Sequence, residues 1–429
     1  MLLVFISRAQ GQEMKFLGTK TPYSLKAVTY TPPPAGFIPV FVNYVGRHGA
    51  RFLTKAGADI KIQALLQQAR QNDALTLLGI QLLDMTNRFL TIEQNNYENI
   101  SLLGAAEQAG IGERVLKNNG PAFKGRGLDV QITHKVRTRQ SAMAFLTAFK
   151  NYVGDKTVHA APADTDENVL RFYDLSPAYL AFKNTPAIGK RIDSLEQDAR
   201  TMQVAQAVWS KVFKASFSSE QEKMLMFTKN LYDLYSIQFS IPLEMKGKGY
   251  QRNSINFGIA FDTPSLAWMS FINDAEDFYE KGPGLDTLGI QVRVSAPLLT
   301  DFLNSTSAAI DGRLQKDAIL RFTHAEAISP FATLLGIPAA SQSSAAVHKY
   351  AEHWQASDII PLSANIQWIV YTNGKDYLVK TLLNECEVQL PVKTTHYPYY
   401  RWEDVQQYYI TRLQKIGIAP DADMHRYLL

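Results

Sequence analysis

The sequence predicts an α/β protein with a mostly parallel sheet flanked by helices and a mostly helical insertion. Three observations carry this. Short apolar, β-branched runs end in ionisable clusters and give way to helical periodicity at Phe37–Ala50, Leu128–Ala142 and Ala318–Ala327. Between about Val158 and Leu288, strand alternation becomes scarce while aromatic and aliphatic residues recur at helical intervals. The 429 residues are 46% hydrophobic and 11% aromatic, enough for a large core and, at ~150 residues per domain, for two or three units. The expected division is a tail at 1–25, a discontinuous α/β core at 26–157 and 289–429, and a helical cap at 158–288.

Leu2-Leu3-Val4-Phe5-Ile6 followed by Ser7–Gln12 has the pattern of the end of a secretory signal that lacks its basic start, and fits an apolar N-terminal strand or frayed tail almost as well. Pro32-Pro33-Pro34 then imposes an extended surface path up to the first strand, Phe37–Val42. That strand runs into Arg47-His48-Gly49-Ala50-Arg51. The imidazole is thereby placed between two guanidiniums at the carboxyl end of a strand, where open α/β sheets bind ligands. Two neighbouring cations disfavour the charged imidazole, and the arrangement suits an anion such as phosphate.

Ile60, Ala64 and Leu65, then Leu75, Leu78, Leu82 and Leu83, predict helices against a sheet face. Leu102–Leu116 predicts another, with Glu107 and Gln108 in a packing role. The strand Leu128–Thr133 leads through His134–Arg139 to a helix over Gln140–Phe149, repeating the opening pattern. Ile188–Phe213 and Ser219–Phe239 predict helices of the insertion, with Lys246–Arg252 in one of its turns. Sheet character returns at Ala318–Thr323, which ends at His324-Ala325-Glu326. Asn365–Tyr371 and Tyr377–Leu383 flank an Asn373-Gly374 turn and predict a hairpin, and Trp402–Leu413 a short helix.

Three strand ends thus offer Arg47, His48 and Arg51, then Arg137, then His324 and Glu326. Phosphoryl transfer needs such a set: bidentate donors for the non-bridging oxygens, a nucleophile, and an acid beside the leaving oxygen. Arg-His-Gly-x-Arg resembles the signature of the histidine phosphatase superfamily, whose histidine is transiently phosphorylated. Arg137, four residues before Ser141-Ala142, matches that family's further arginine. The resemblance implies His48 as nucleophile, Arg47, Arg51, Arg137 and His324 as phosphate ligands, Glu326 as general acid, and no cofactor or metal. A glutamate acts well as an acid when its pKa is raised toward working pH, so a raised Glu326 and a mildly acidic optimum are expected.

His-Ala-Glu, where most of the phytase-like branch carries His-Asp, resembles the multiple inositol polyphosphate phosphatases. Leu170–Asp174, Asp277–Gly284, Ile360–Asn365 and Leu382–Glu385 agree with that subgroup. The implied fold is an α/β core with a helical cap, and the implied substrate is phytate and lower inositol phosphates, with 2,3-bisphosphoglycerate as a further possibility. A hexakisphosphate needs additional cations, for which Arg171, Lys55 and Lys183 are candidates. Leu53 stands where the family signature has proline. The terminal Tyr427-Leu428-Leu429 is no endoplasmic-reticulum retention signal, so an exported bacterial enzyme is expected.

The net charge of +4, without dense clusters of lysine and arginine, suits a small anionic partner and excludes a nucleic-acid footprint. The single Cys386 excludes an intramolecular disulfide, and no run of ~18 apolar residues predicts a membrane span. Rival readings are a broad-specificity acid phosphatase, a phosphoglycerate-mutase-like transferase, which needs an acceptor, and a non-catalytic anion-binding protein.

Overall fold

The structure, a computed structural model, describes residues 14–160, 168–217, 220–251, 254–419 and 421–429. The expected signal remnant Leu2–Gln12 and Arg252 lie outside these residues. In chain order, β1 (Ile38–Arg47) is followed by α1 (Ala58–Gln71), α2 (Leu77–Glu93) and α3 (Leu102–Asn118). β2 (Leu128–Ile132), α4 (Val136–Leu146) and β3 (Lys156–Ala160) come next, so the sheet extends past residue 158, where the sequence places the start of the insertion. The insertion carries α5 (Phe172–Leu175), α6 (Pro177–Lys183), α7 (Pro186–Glu196), α8 (Ala199–Val212), α9 (Gln221–Ile237), α10 (Pro242–Gly247) and α11 (Thr263–Lys281). α12 (Ile290–Arg293) and α13 (Ala296–Ile310) return the chain to β4 (Ala318–Thr323) and α14 (Ala325–Leu334). After α15 (Ala356–Ile359) come β5 (Asn365–Thr372), β6 (Tyr377–Leu383), β7 (Cys386–Glu387), β8 (Tyr399–Arg401), α16 (Trp402–Lys415) and α17 (Met424–Leu428).

The strands form one sheet in the order β3-β2-β4-β1-β5-β6-β7, with β8 beside β6. The expected parallel arrangement describes β3, β2, β4 and β1. From β5 onward the pairing is antiparallel; between β5 and β6 the tight Asn373-Gly374 connection reverses the chain within a few residues, whereas parallel neighbours need a crossover. Register decides where the ionisable ends fall. Arg47 pairs with Thr323 and Ile132 with Phe322, so the loops after β1, β2 and β4 emerge at one edge. Antiparallel β5 starts at that edge, with Asn365 opposite Gly46.

Alternation along β1 and β4 sorts their side chains onto two faces. Val42, Tyr44, Leu320 and Phe322 pack with Ile111 and Val115 of α3 and Phe145 of α4. Phe41, Val45 and Ile319 join a much larger cluster with Phe302, Phe331 and Trp368 that continues without a break into Trp209, Phe227 and Phe278 of the insertion.

Two expectations need correction. The helices of 55–90 lie chiefly against the insertion: α1 packs on α2 and α9, and α2 on α8. An amphipathic stripe records that a face is buried without recording what buries it. The helix expected from Gln140 begins at Val136, so Arg137 lies in its first turn. Thr138 Oγ1 lies 2.7 Å from the Lys135 carbonyl and the Lys135 N–H donates to Thr133 Oγ1, which turns β-branched residues that read as loop into a helix start.

From Met14 the N-terminal segment is docked. Leu17 is buried in the large cluster, the Tyr23 N–H donates to Glu107, and its hydroxyl donates to Glu385. Among the described residues no helix is long and apolar enough to cross a membrane.

Candidate active site

Four successive backbone N–H groups of the loop after β1 are held by four separate parts of the chain. Arg47 N–H donates to Ala364 O (2.7 Å), His48 N–H to Thr323 O (3.0 Å), Gly49 N–H to Ser141 Oγ (3.0 Å) and Ala50 N–H to Glu107 Oε2 (2.9 Å). With the backbone donors committed, recognition of an anion falls to side chains.

His48 is 4% exposed, and its Nδ1 lies 3.0 Å from the Gly49 carbonyl. A carbonyl only accepts, so the proton sits on Nδ1 and the lone pair on Nε2. Burial and the neighbouring Arg47, His324, Arg51 and Arg137 hold the imidazolium form well below its usual range, which keeps the ring neutral and nucleophilic in mildly acidic solution. The His324 ring stands 5.4 Å away, centroid to centroid, and edge-on.

Around this pair the protein leaves buried donors without partners. Nε of Arg47, Arg51 and Arg137, Nη1 of Arg137 and Nδ1 of His324 make no hydrogen bond within the protein. Each guanidinium is anchored only in part: Arg47 Nη1 donates to the Thr19 and Ile360 carbonyls, Arg51 Nη1 to Phe52 O, and Arg137 Nη1 lies 3.8 Å from Glu98. His324 Nε2 is 3.2 Å from Thr133 Oγ1, which leaves Nδ1 as the ring's unpartnered nitrogen. Burial and mutual repulsion push Arg47 and Arg51 from 12.5 down to about 10, and burial also lowers Arg137. Unpaired buried donors cost stability. The four guanidinium donors, from the β1 end and α4, suit the oxygens of one phosphoryl group, with His324 Nδ1 beside them.

Glu326 opens α14, with its side chain 39% exposed. Desolvation alone would raise its carboxyl, but the Lys281 ammonium, His324 and Arg47 outweigh it and hold the group well below the usual carboxylate range. This reverses the expectation of a raised Glu326 in the free protein. The decisive cation comes from the insertion: Lys281 Nζ lies 3.4 Å from Glu326 Oε1 and 2.8 Å from Asp277 Oδ1. Lys281 lies in the family-like stretch Asp277–Gly284, but nothing in that stretch reveals which carboxylate across the fold meets the end of α11.

The additional cations are placed unequally. Arg171, paired with Asp174 and 5.7 Å from the Tyr173 ring, is near enough to lower both Arg137 and His324. Lys183 ends α6 with its ammonium 5.3 Å over Tyr179, whose hydroxyl donates to Glu280 O beside Lys281. Lys55 is exposed, and no hydrogen bond or ion pair ties it to the cluster among the described residues. Lys246 and Lys248 are likewise exposed at the end of α10.

The family model described as the histidine phosphatase superfamily, branch 2, matches residues 40–384. The chain belongs to this family. Curated proteins give no match by sequence. Among solved structures, the Bifidobacterium longum multiple inositol polyphosphate phosphatase in complex with inositol hexasulfate is similar with a TM-score of 0.81 at 22% identity, over 91% of this chain and 97% of that one. The D. castellii phytase gives 0.64 at 15% identity, over 96% and 90%. The Hafnia alvei phytase gives 0.51 at 12%, over 90% and 99%.

As a branch 2 histidine phosphatase, the protein is an enzyme that must hold its motif loop rigid, and Glu107 does this from beneath. Its buried carboxylate accepts from Ala50 N–H, Tyr23 N–H (2.8 Å) and Ser363 Oγ (2.7 Å), while Gln108 Nε2 donates to Arg47 O and Ser363 Oγ. α3 approaches so closely that a Cβ on Gly49 would stand 2.6 Å from Gly104 O. The packing role expected for Glu107 and Gln108 understates them. The available signal was a polar pair on the buried stripe of α3, between Gly104 and Ile111. Glu107→Ala is expected to destabilise the protein by about 3 kcal/mol, because three buried donors lose their acceptor. Thermal melting checks this, and an unchanged melting temperature contradicts it.

Proposed function

We propose that this histidine phosphatase hydrolyses phosphomonoesters of inositol hexakisphosphate and lower inositol polyphosphates through a phosphohistidine on His48. The observation that carries the reading is the set of unpaired buried donors on Arg47, Arg51, Arg137 and His324 around a neutral, Nδ1-anchored imidazole. Nε2 of His48 attacks phosphorus, the guanidiniums and His324, protonated beside the bound anion, bind the non-bridging oxygens, and Glu326 protonates the departing alkoxide. Glu326, then ionised, takes a proton from the water that attacks the phosphohistidine. The residues present call for no metal in these steps.

The substrate class rests on two supports. The fold is shared with a Bifidobacterium longum multiple inositol polyphosphate phosphatase solved with inositol hexasulfate. Beyond the phosphoryl ligands, Arg171, Lys183 and Lys281 add cations on the insertion side, where further phosphates of the ring would lie. Incubation with phytate and no acceptor alcohol is expected to release inorganic phosphate and a ladder of lower inositol phosphates, resolved by ion-exchange chromatography. Phytate left intact while a simple phosphomonoester turns over would instead indicate a general acid phosphatase.

A further inference from the structure

Lys281 is the last residue of α11 and its side chain is 13% exposed, as is that of Asp277 one turn earlier. Its two bonds are unequal. The 2.8 Å contact to Asp277 has the length of a full charge-assisted hydrogen bond, whereas the 3.4 Å contact to Glu326 is loose. The ammonium is therefore anchored on α11 and reaches Glu326 only weakly. An arriving phosphate dianion competes well for it against a single carboxylate.

The groups facing Glu326 are Lys281 and Asp277 from α11, Tyr179 from α6, His324 from its own turn, Arg47 and Arg51 from the β1 loop, and Arg137 from α4. A bound phosphoryl group neutralises the arginines and His324, which leaves Lys281 as the cation that keeps Glu326 ionised. We propose that Lys281 couples recognition of a second phosphate to the proton donor. A phosphate beside the scissile one draws the ammonium off Glu326, and the carboxyl then takes up a proton from solvent. This rests on the reading of Glu326 as the donor. The P–Nε2 bond forms as the ester P–O bond breaks, and the Glu326 proton passes to the departing oxygen, giving a free hydroxyl and a carboxylate. Polyphosphates thus switch on the acid that an isolated monophosphate leaves paired with Lys281.

The test compares kcat/KM in mildly acidic buffer on phytate, on an inositol monophosphate and on p-nitrophenyl phosphate, whose leaving group needs no proton. Lys281→Met is expected to raise kcat/KM on the monophosphate about tenfold, because a larger fraction of the Glu326 carboxyl is then protonated. It should lower kcat/KM on phytate and change p-nitrophenyl phosphate least, and an unchanged melting temperature reports intact folding. Asp277→Asn releases Lys281 onto Glu326 and should act oppositely on the monophosphate, while Lys281→Arg should restore wild-type behaviour. A monophosphate rate that is unchanged, or that falls with phytate, overturns the coupling and leaves Lys281 a plain phosphate ligand. If the wild type cleaves both monoesters and spares phytate, the substrate reading fails, while the response of the monophosphate to Lys281→Met still decides the coupling.

Discussion

His48→Ala is expected to lower phosphate release by about 10⁴-fold or more, the scale seen when a covalent nucleophile is removed from an otherwise intact site. No other group replaces it. His324 is the nearest imidazole, but its Nε2 is engaged with Thr133 and it is proposed here as a ligand of the phosphoryl oxygens. The loop itself should survive, because its backbone is fixed by Ala364, Thr323, Ser141 and Glu107, while the ring adds its hydrogen bond to Gly49 O and its edge-on contact with His324. The variant should therefore still bind inorganic phosphate, which equilibrium dialysis measures. Rapid quenching in alkali, where a phosphohistidine persists, should trap label on the wild type and none on the variant. Wild-type turnover by His48→Ala would remove the covalent mechanism.

Glu326→Gln should cost about 10²- to 10⁴-fold on inositol phosphates, the usual worth of a positioned proton donor. The effect should shrink sharply on p-nitrophenyl phosphate. Glutamine fills the same space at the start of α14 and keeps an oxygen facing Lys281, so a loss confined to poor leaving groups reads proton transfer instead of packing. Equal losses on both substrates would make Glu326 a structural residue. The depressed carboxyl sets the sign of the pH dependence: in the free enzyme Glu326 stays ionised through the mildly acidic range, and protonation has to accompany substrate binding.

The parts of this site that could be read in the sequence were those in which one short stretch holds both the scaffold and the chemistry. Phe37–Val42 announces a strand and Arg47-His48 its loaded end, and the same holds for Ala318–Thr323 with His324 and Glu326. The parts that could not be read depend on pairing. Nothing local says that β1 lies between β4 and β5, and that order alone brings Thr323 and Ala364 to the Arg47-His48 backbone. Lys281 is legible as a charged helix end but not as the partner of Glu326, so even the direction of the Glu326 shift was out of reach. α1 and α2 were legible as helices, yet the face they cover is decided by α8 and α9, which come more than a hundred residues later.

The four ties on the loop backbone also bear on how the molecule comes into being. Their acceptors lie at Glu107, Ser141, Thr323 and Ala364, so each closes a chain loop longer than the last, and entropy places such long closures late in folding. A nascent chain holds the whole nucleophile motif once residue 51 has emerged, but the conformation that makes the motif reactive waits for the strand beginning at Asn365. Enzymatic competence is thus among the last properties this polypeptide acquires during synthesis.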